Sequence, residues 1–253
     1  QTLGLQMNQQ QLYNPYGPSL KDAVVSFGGF CTGVVVSQDG LVFTNHHCGF
    51  ERIQQHSSTE NDYLKEGFIA HNRGEELPNP GLYVSFLLRT IDVSSRVLNS
   101  VPTTASEEER EEYIDSVCTV IQNEAIMGDP TLNAIVSPYY QGNEYYLSIY
   151  REFRDIRLVF APPSSVGKFG GDTDNWEWPR HTGDFSIFRV YADTNNEPAE
   201  YSEDNVPYHP VHYAPISMKG YKEGDFSMTV GYPGSTDRYM SSFGIYERMT
   251  GWN

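Results

Sequence analysis

Two cysteines and two histidines lie together in the stretch CTGVVVSQDGLVFTNHHC, which runs from Cys31 to Cys48. His46 and His47 are adjacent and directly precede Cys48. Cysteines grouped with histidines are typical of a metal site, of a redox pair, or of a disulfide beside a histidine that acts as a catalytic base. The spacing of these residues limits the choice among the three.

A zinc site is disfavoured, because it needs about four ligands at suitable spacing and the chain has neither a CxxC nor an HExxH motif. We therefore expect no metal and no cofactor. A redox pair usually has CxxC spacing, whereas Cys31 and Cys48 are 17 positions apart. Two alternatives remain from the residues alone: a disulfide across a hairpin, which requires an oxidising compartment, or two unrelated buried thiols.

Composition limits the classes of partner. The chain has 253 residues and a formal net charge of −16, which repels phosphate backbones and anionic lipid headgroups. We expect neither nucleic acid nor a membrane as a partner, and no apolar run approaches the length of a membrane span. The chain opens on Gln1 without a Met or a signal peptide, as expected of a processed or truncated product.

Short runs rich in β-branched and aromatic residues predict a mainly β fold, a barrel or a sandwich. Asp39-Gly40 predicts a hairpin turn between two of them, because Gly tolerates positive φ. The predicted strands are residues 24–27, 34–37, 41–44, 82–91, 145–153, 156–160, 185–191 and 226–230.

One segment, near residues 104–126, predicts a helix instead. Ser106 and Glu109 form a capping box, and acidic residues follow in the first turn, where the helix dipole favours them. This acidic turn is most simply a solvated face. Cys118 falls on the apolar side of the helix and is expected to be a buried free thiol. The apolar positions that recur at helical spacing are Tyr113, Ile114, Val117, Cys118 and Ile121.

The ending TNHHC resembles the signature around the catalytic histidine of chymotrypsin-like serine peptidases. In that family the cysteine after the histidine pairs with one just upstream. The resemblance therefore implies that His47, not His46, is the catalytic base, and that Cys31 and Cys48 form a disulfide.

A longer stretch, GGDTDNWEWPRHTGDFSIFRV at residues 170–190, together with SLKDAVVSFGGFCTG and FTNHHC, is similar to the bacterial dipeptidyl-peptidase 7 and 11 family. These are periplasmic or secreted serine exopeptidases, with a large helical domain inserted into a chymotrypsin-like catalytic domain. The resemblance covers nearly the whole chain. It implies the first β-barrel of a double-barrel serine peptidase, with an inserted helix and extra strands.

The resemblance also assigns roles to site residues. Asp184, just before the predicted strand FSIFRV, is implied to be the carboxylate that orients the catalytic imidazole. Asn175 and Trp176 match substrate-binding positions, and Arg180 matches a residue that supports them. An amide oxygen beside an aromatic ring can bind the free α-ammonium that a dipeptide-releasing enzyme must recognise. The chain departs from the commoner family pattern at Glu177, where an apolar residue is usual.

The nucleophile is missing from these residues. Acyl transfer of this kind needs a Ser in a Gly-rich turn, yet no GxSG-type segment occurs, and Ser235 in GYPGSTD lacks the following Gly. We therefore expect residues 1–253 to be the N-terminal part of the catalytic domain. The helical domain and the second barrel, which carries the Ser, would then lie downstream, and the chain alone would be inactive.

The predicted function is that of a serine-type dipeptidyl-peptidase acting on oligopeptides with a free N-terminus. Family members tend to be homodimers, which implies a homodimer for the full-length protein. Two alternatives remain from the residues: a non-catalytic peptide-binding protein with a peptidase-like fold, and a trypsin-like endopeptidase. The sequence does not decide between a preference for hydrophobic and for acidic residues next to the scissile bond.

Overall fold

An antiparallel sheet of eleven strands dominates the structure. The structure is a computed structural model that describes residues 3–171, 181–234 and 239–251. The strands are β1 Val24–Phe27, β2 Cys31–Val35, β3 Leu41–Thr44, β4 Phe68–Ile69, β5 Leu77–Pro78, β6 Val84–Asp92, β7 Leu132–Tyr139, β8 Glu144–Phe153, β9 Asp155–Ala161, β10 Ser186–Ala192 and β11 Val206–Pro207.

The strands follow the order β4-β9-β10-β3-β2-β1-β6-β8-β7, with β5 on β9 and β11 on β10. The sheet is strongly curled. Phe27 on β1 and Phe188 on β10 are three strands apart, which in a flat sheet is about 14 Å, yet their ring centroids are 4.9 Å apart. Only Arg154 separates β8 from β9, so the chain itself bridges two strands that are far apart in the ladder. The result is a barrel-like fold, as predicted.

The main core fills the concave side of this curl. It is built by side chains from both halves of the ladder, and its aromatic members contact one another edge to face or tilted. Its buried members are Val25, Phe27, Val35, Val42, Cys48, Ile53, Leu82, Val84, Phe86, Phe153, Ile156, Leu158, Ala161, Phe188, Val190, Ala192 and Tyr208.

The hairpin predicted from Asp39-Gly40 joins β2 to β3, so that prediction is confirmed. Gly40 has φ +66°, and a Cβ there would lie 2.8 Å from the carbonyl oxygen of Val190 and 2.9 Å from that of Tyr208. Only glycine fits this turn, because both the backbone angle and the close contacts exclude a side chain.

Helices surround the sheet, and the predicted helical segment is confirmed as α5. Ser106 caps it and Glu109 completes the capping box. Helix α5 packs on β7 and β8 to form a second core, around Ile121, Ala134 and Leu147. The α-helices are α1 Gln9–Leu12, α2 His46–His56, α3 Tyr63–Glu66, α4 Ser94–Leu98, α5 Glu107–Ile126, α6 Ser164–Gly167 and a last helix Ser242–Gly251; short 3-10 turns cover Leu20–Asp22, Arg73–Glu75 and Tyr140–Gly142.

The strand predicted at residues 226–230 is wrong. These residues form no regular element, although Phe226, Met228 and Val230 alternate as in a strand. Alternation produces a strand only when a neighbouring strand accepts the backbone hydrogen bonds, and none of the described strands pairs with this segment. Within the described residues, no helix has the length and apolar character needed to cross a bilayer.

Candidate active site

His47 and Asp184 are brought together by the pairing of β3 with β10. Thr44 at the end of β3 lies opposite Ser186 at the start of β10. The chain leaves β3 through Asn45 and enters α2, so His47 lies in the first turn of that helix. Asp184 precedes β10 at the same edge of the sheet. His47 and Asp184, 137 positions apart in sequence, therefore meet where the end of β3 lies beside the start of β10.

The Asp184 carboxylate has three partners. Its Oδ2 lies 2.7 Å from Nδ1 of His47 and accepts a hydrogen bond from the Asn45 side-chain amide at 3.2 Å. Its Oδ1 accepts a hydrogen bond from the backbone N–H of His47 at 3.0 Å. An ionised carboxylate can only accept, so Nδ1 of His47 carries the hydrogen and Nε2 keeps its lone pair. The His47 side chain is 70% exposed, which leaves that lone pair open to a substrate or a nucleophile.

Asn45 and Ser186 hold the two segments in place. The Asn45 side-chain amide also donates to the backbone carbonyl of Asp184 at 3.2 Å, and the Ser186 hydroxyl donates to the carbonyl of Asn45 at 2.9 Å. Neither residue was singled out from the sequence. Asn45 follows Thr44 and Ser186 lies opposite Thr44, and these positions become meaningful only once the strand register is known.

A disulfide between Cys31 and Cys48 ties the start of β2 to the first turn of α2, with Cα atoms 6.2 Å apart. The alternative of two unrelated buried thiols is therefore wrong. Cys48 directly follows His47, so the bond restrains the helix turn that carries the imidazole. Cys118 is a free thiol as predicted, but it is half-buried rather than buried, and this partial burial raises its pKa.

The same disulfide occupies the one cluster of potential metal ligands that stands out among the described residues. Ligand-type atoms of Cys31, His47 and Cys48 lie within 4.8 Å of one another. Both sulfurs are bonded to each other, whereas the thiolate is the form of cysteine that binds metals. As long as the disulfide is intact, this cluster offers a metal only the imidazole.

The burial of His46, the other histidine of the motif, was not predicted from the sequence. Its side chain is 1% exposed, and burial lowers its pKa below the ordinary value. The charge of Asp184 and a hydrogen bond to the Pro162 backbone act in the opposite direction, while His47 acts with burial. A signal was available: His46, Gly49 and Ile53 are spaced i, i+3, i+7 and form one buried face of α2.

The other predicted residues are outside what the structure describes. Asn175, Trp176 and Arg180 fall in 172–180, and Ser235 falls in 235–238, two ranges that are not among the described residues. Their predicted roles stay predictions. Of the predicted catalytic residues, His47 and Asp184 are both described, and they are in contact.

Comparison with known proteins gives one family. The model of peptidase S46 matches residues 1–253. A dipeptidyl-peptidase 7 of Porphyromonas endodontalis is 55% identical over 96% of this chain and 30% of its own length. An Asp/Glu-specific dipeptidyl-peptidase of Capnocytophaga gingivalis is 50% identical over 96% of this chain and 34% of its own length.

The fold agrees with a solved structure. The crystal structure of Porphyromonas endodontalis DPP11 in complex with substrate matches 97% of this chain with a TM-score of 0.88 and 48% identity, and is itself covered to 36%. The same protein has been solved with the dipeptide Arg-Glu. The chain thus spans about a third of the length of the relatives it matches. From its first residue to its last, the chain belongs to the peptidase S46 family.

Proposed function

We propose that this chain is the N-terminal part of a serine-type dipeptidyl-peptidase that releases dipeptides from the N-terminus of oligopeptides. The observation that carries the proposal is the 2.7 Å contact between Nδ1 of His47 and Asp184, made by an imidazole that is 70% exposed. A buried or metal-bound imidazole could not serve as a base for an external group. An oriented, accessible one can.

In the proposed reaction, Nε2 of His47 takes the proton from a serine hydroxyl that the rest of the protein supplies. The serine oxygen attacks the carbonyl of the second peptide bond from the substrate's N-terminus, and the protonated His47 then gives its proton to the leaving amine. Water hydrolyses the acyl-enzyme with His47 again as the base. Asp184 fixes the tautomer and stabilises the imidazolium that forms in each half of the reaction.

The substrate class follows from the relatives and from the predicted amine site. Two relatives are named dipeptidyl-peptidases, and the neighbouring DPP11 has been solved with the dipeptide Arg-Glu. We assign recognition of the substrate's α-ammonium to Asn175 and Trp176, supported by Arg180. This limits the substrate to peptides with a free N-terminus.

The compartment and the assembly are parts of the same proposal. A disulfide that restrains the catalytic helix turn supports an oxidising location, the periplasm or the exterior of a bacterial cell. The full-length protein is proposed to be a homodimer. Spheroplast fractionation and analytical ultracentrifugation of the full-length protein test these two points.

The decisive experiment uses the full-length protein and chromogenic dipeptide substrates. His47→Ala should lower kcat on the order of 10⁴-fold or more, since the base is lost. Full activity in this variant would show that the base is misassigned. Substrates with acetylated N-termini should not be cleaved; rapid cleavage of them would favour the trypsin-like endopeptidase, and binding without any turnover would favour the peptide-binding protein.

A second experiment tests the division of the triad. The purified 253-residue chain should release no dipeptide, because the serine and its oxyanion hole lie outside it. Turnover by this chain that His47→Ala abolishes would overturn the assignment of the nucleophile to the remaining part of the protein.

A further inference from the structure

The imidazole of His46 is buried beside the catalytic pair and has no role in the proposed reaction. Its side chain is 1% exposed, and its Nε2 has no hydrogen-bond partner among the described residues. Burying an unpaired polar atom destabilises the folded state. An apolar residue would avoid this cost, so the imidazole needs a separate explanation.

The ring packs directly against the backbone of α6. A Cβ placed on Gly167 would lie 2.4 Å from Cγ and 2.5 Å from Cδ2 of His46. Contacts that short do not occur, so the ring occupies the space that any side chain at position 167 would need. Gly167 is itself buried. The His46 ring therefore fills the space between α2 and α6 at Gly167.

Helix α6 in turn holds the segment that carries Asp184. The N–H of Gly183 donates to the carbonyl of Val166 at 3.0 Å, and a Cβ on Gly183 would lie 2.8 Å from Cγ1 of Val166. The Thr182 hydroxyl donates to the carbonyl of Phe169 at 2.6 Å. Gly183 directly precedes Asp184, so contacts lead from His46 through α6 to the carboxylate, and from there back to His47.

Burial favours the neutral form of His46. Burial lowers its pKa, and His47 acts in the same direction, whereas Asp184 and the Pro162 backbone oppose them. Lys168, which follows Gly167, and His181, which precedes Thr182, are solvent-exposed. A neutral His46 does not compete with His47 for the negative charge of Asp184.

We propose that His46 is a positioning residue for the His47–Asp184 pair, acting through its packing on Gly167 and through α6 on the segment before Asp184. The role rests on the proposed function, since it concerns the geometry of the same pair. His46 does not touch the substrate. Its removal should therefore affect the chemical step and leave substrate binding nearly unchanged.

The test uses the full-length protein, its dipeptide-releasing activity and three variants: His46→Ala, Gly167→Ala and the double variant. Each single change should lower kcat about 10- to 100-fold, the effect of misplacing a catalytic group by about 1 Å, with KM within about twofold. In the double variant the missing ring makes room for the new methyl group. The second substitution should therefore cause no further loss of kcat and should restore part of the kcat lost in the single variant.

His56→Ala is the matched control. His56 is on the same helix, half-buried, and its Nε2 lies 3.2 Å from Oδ1 of Asn79, away from Asp184. The kcat of the His56→Ala variant should equal that of the wild type even if the melting temperature of the variant is lower. His46→Phe, which keeps a neutral ring on Gly167, should retain much more kcat than His46→Ala and provides a folded variant if alanine is not tolerated.

Equal kcat values for His46→Ala and His56→Ala would overturn the proposal, as would kcat losses that simply multiply in the double variant. Crystal structures of the variants measure the distance between Nδ1 of His47 and Oδ2 of Asp184 independently of activity. It should lengthen in Gly167→Ala and recover in the double variant; an unchanged distance would also overturn the proposal. If the wild type has no dipeptide-releasing activity but the variants show these changes in distance, the proposed function is contradicted and the positioning of the pair by His46 is not.

Discussion

Asp184 binds His47 through both carboxylate oxygens, one to the ring and one to the backbone of the same residue. The backbone bond has a second effect. The first N–H groups of a helix lack partners within the helix, and Asn45 at the N-cap of α2 makes no side-chain capping bond. Asp184 supplies the cap from the segment that precedes β10. The imidazole is thus oriented by the same carboxylate that stabilises the start of its helix.

Asp184→Asn should lower kcat of the full-length protein on the order of 10⁴-fold, because an amide can donate to Nδ1 and stabilise the wrong tautomer. Partial loss of the cap should cost about 1 kcal/mol of stability. Steady-state kinetics and thermal unfolding measure the two effects. The control is Asp129→Asn, an exposed carboxylate between α5 and β7. A kcat within tenfold of wild type would show that Asp184 does not orient the base.

Replacing both Cys31 and Cys48 by serine should destabilise the protein by about 3 kcal/mol, as expected for a closed loop of this length. Chemical denaturation of the two proteins measures the difference. Thiol titration of the 253-residue chain, unfolded without reductant, should find one free thiol, that of Cys118. Three thiols would mean that the disulfide does not form.

Because of His46, the stability of the folded protein should decrease as the pH is lowered. Its folded-state pKa is below the ordinary 6.5, so below about pH 6.5 the unfolded chain binds a proton that the folded chain resists. Stability therefore decreases as the pH falls through this range. His46→Phe removes the effect, and its melting temperature relative to wild type should rise between pH 7 and pH 5. A difference in melting temperature that is constant with pH would contradict the assignment.

Glu76→Ala should destabilise the barrel by about 3 kcal/mol, because it leaves a nearly buried cation without its partner. Glu76 is buried, accepts a hydrogen bond from Nε of Arg189 at 2.9 Å and one from the Tyr191 hydroxyl at 2.8 Å. Arg189 and Tyr191 lie on β10, the strand that follows Asp184. Urea denaturation of this variant beside Glu60→Ala, an exposed glutamate, measures the effect; equal stabilities would show that the pair contributes nothing.

Features that depend on neighbours a few positions away could be predicted from the sequence alone. Asp39-Gly40 fixed the hairpin, because the positive φ at Gly40 is a property of one residue. Ser106 and Glu109 fixed the start of α5, since a capping box needs only one helical turn. The motif around His47 and the residues before Asp184 identified both members of the proposed catalytic pair, but only through their resemblance to a family.

Contacts between residues far apart in sequence depended on the packing of the whole chain. The contact of His47 with Asp184 follows from the β3–β10 register, and the burial of His46 follows from the packing of α2 on α6. The same physics explains the wrong strand at residues 226–230, whose alternating side chains found no described strand to pair with. Local preferences are set by steric and hydrogen-bonding terms within a few residues, whereas pairing and burial depend on where the whole chain places its apolar surface.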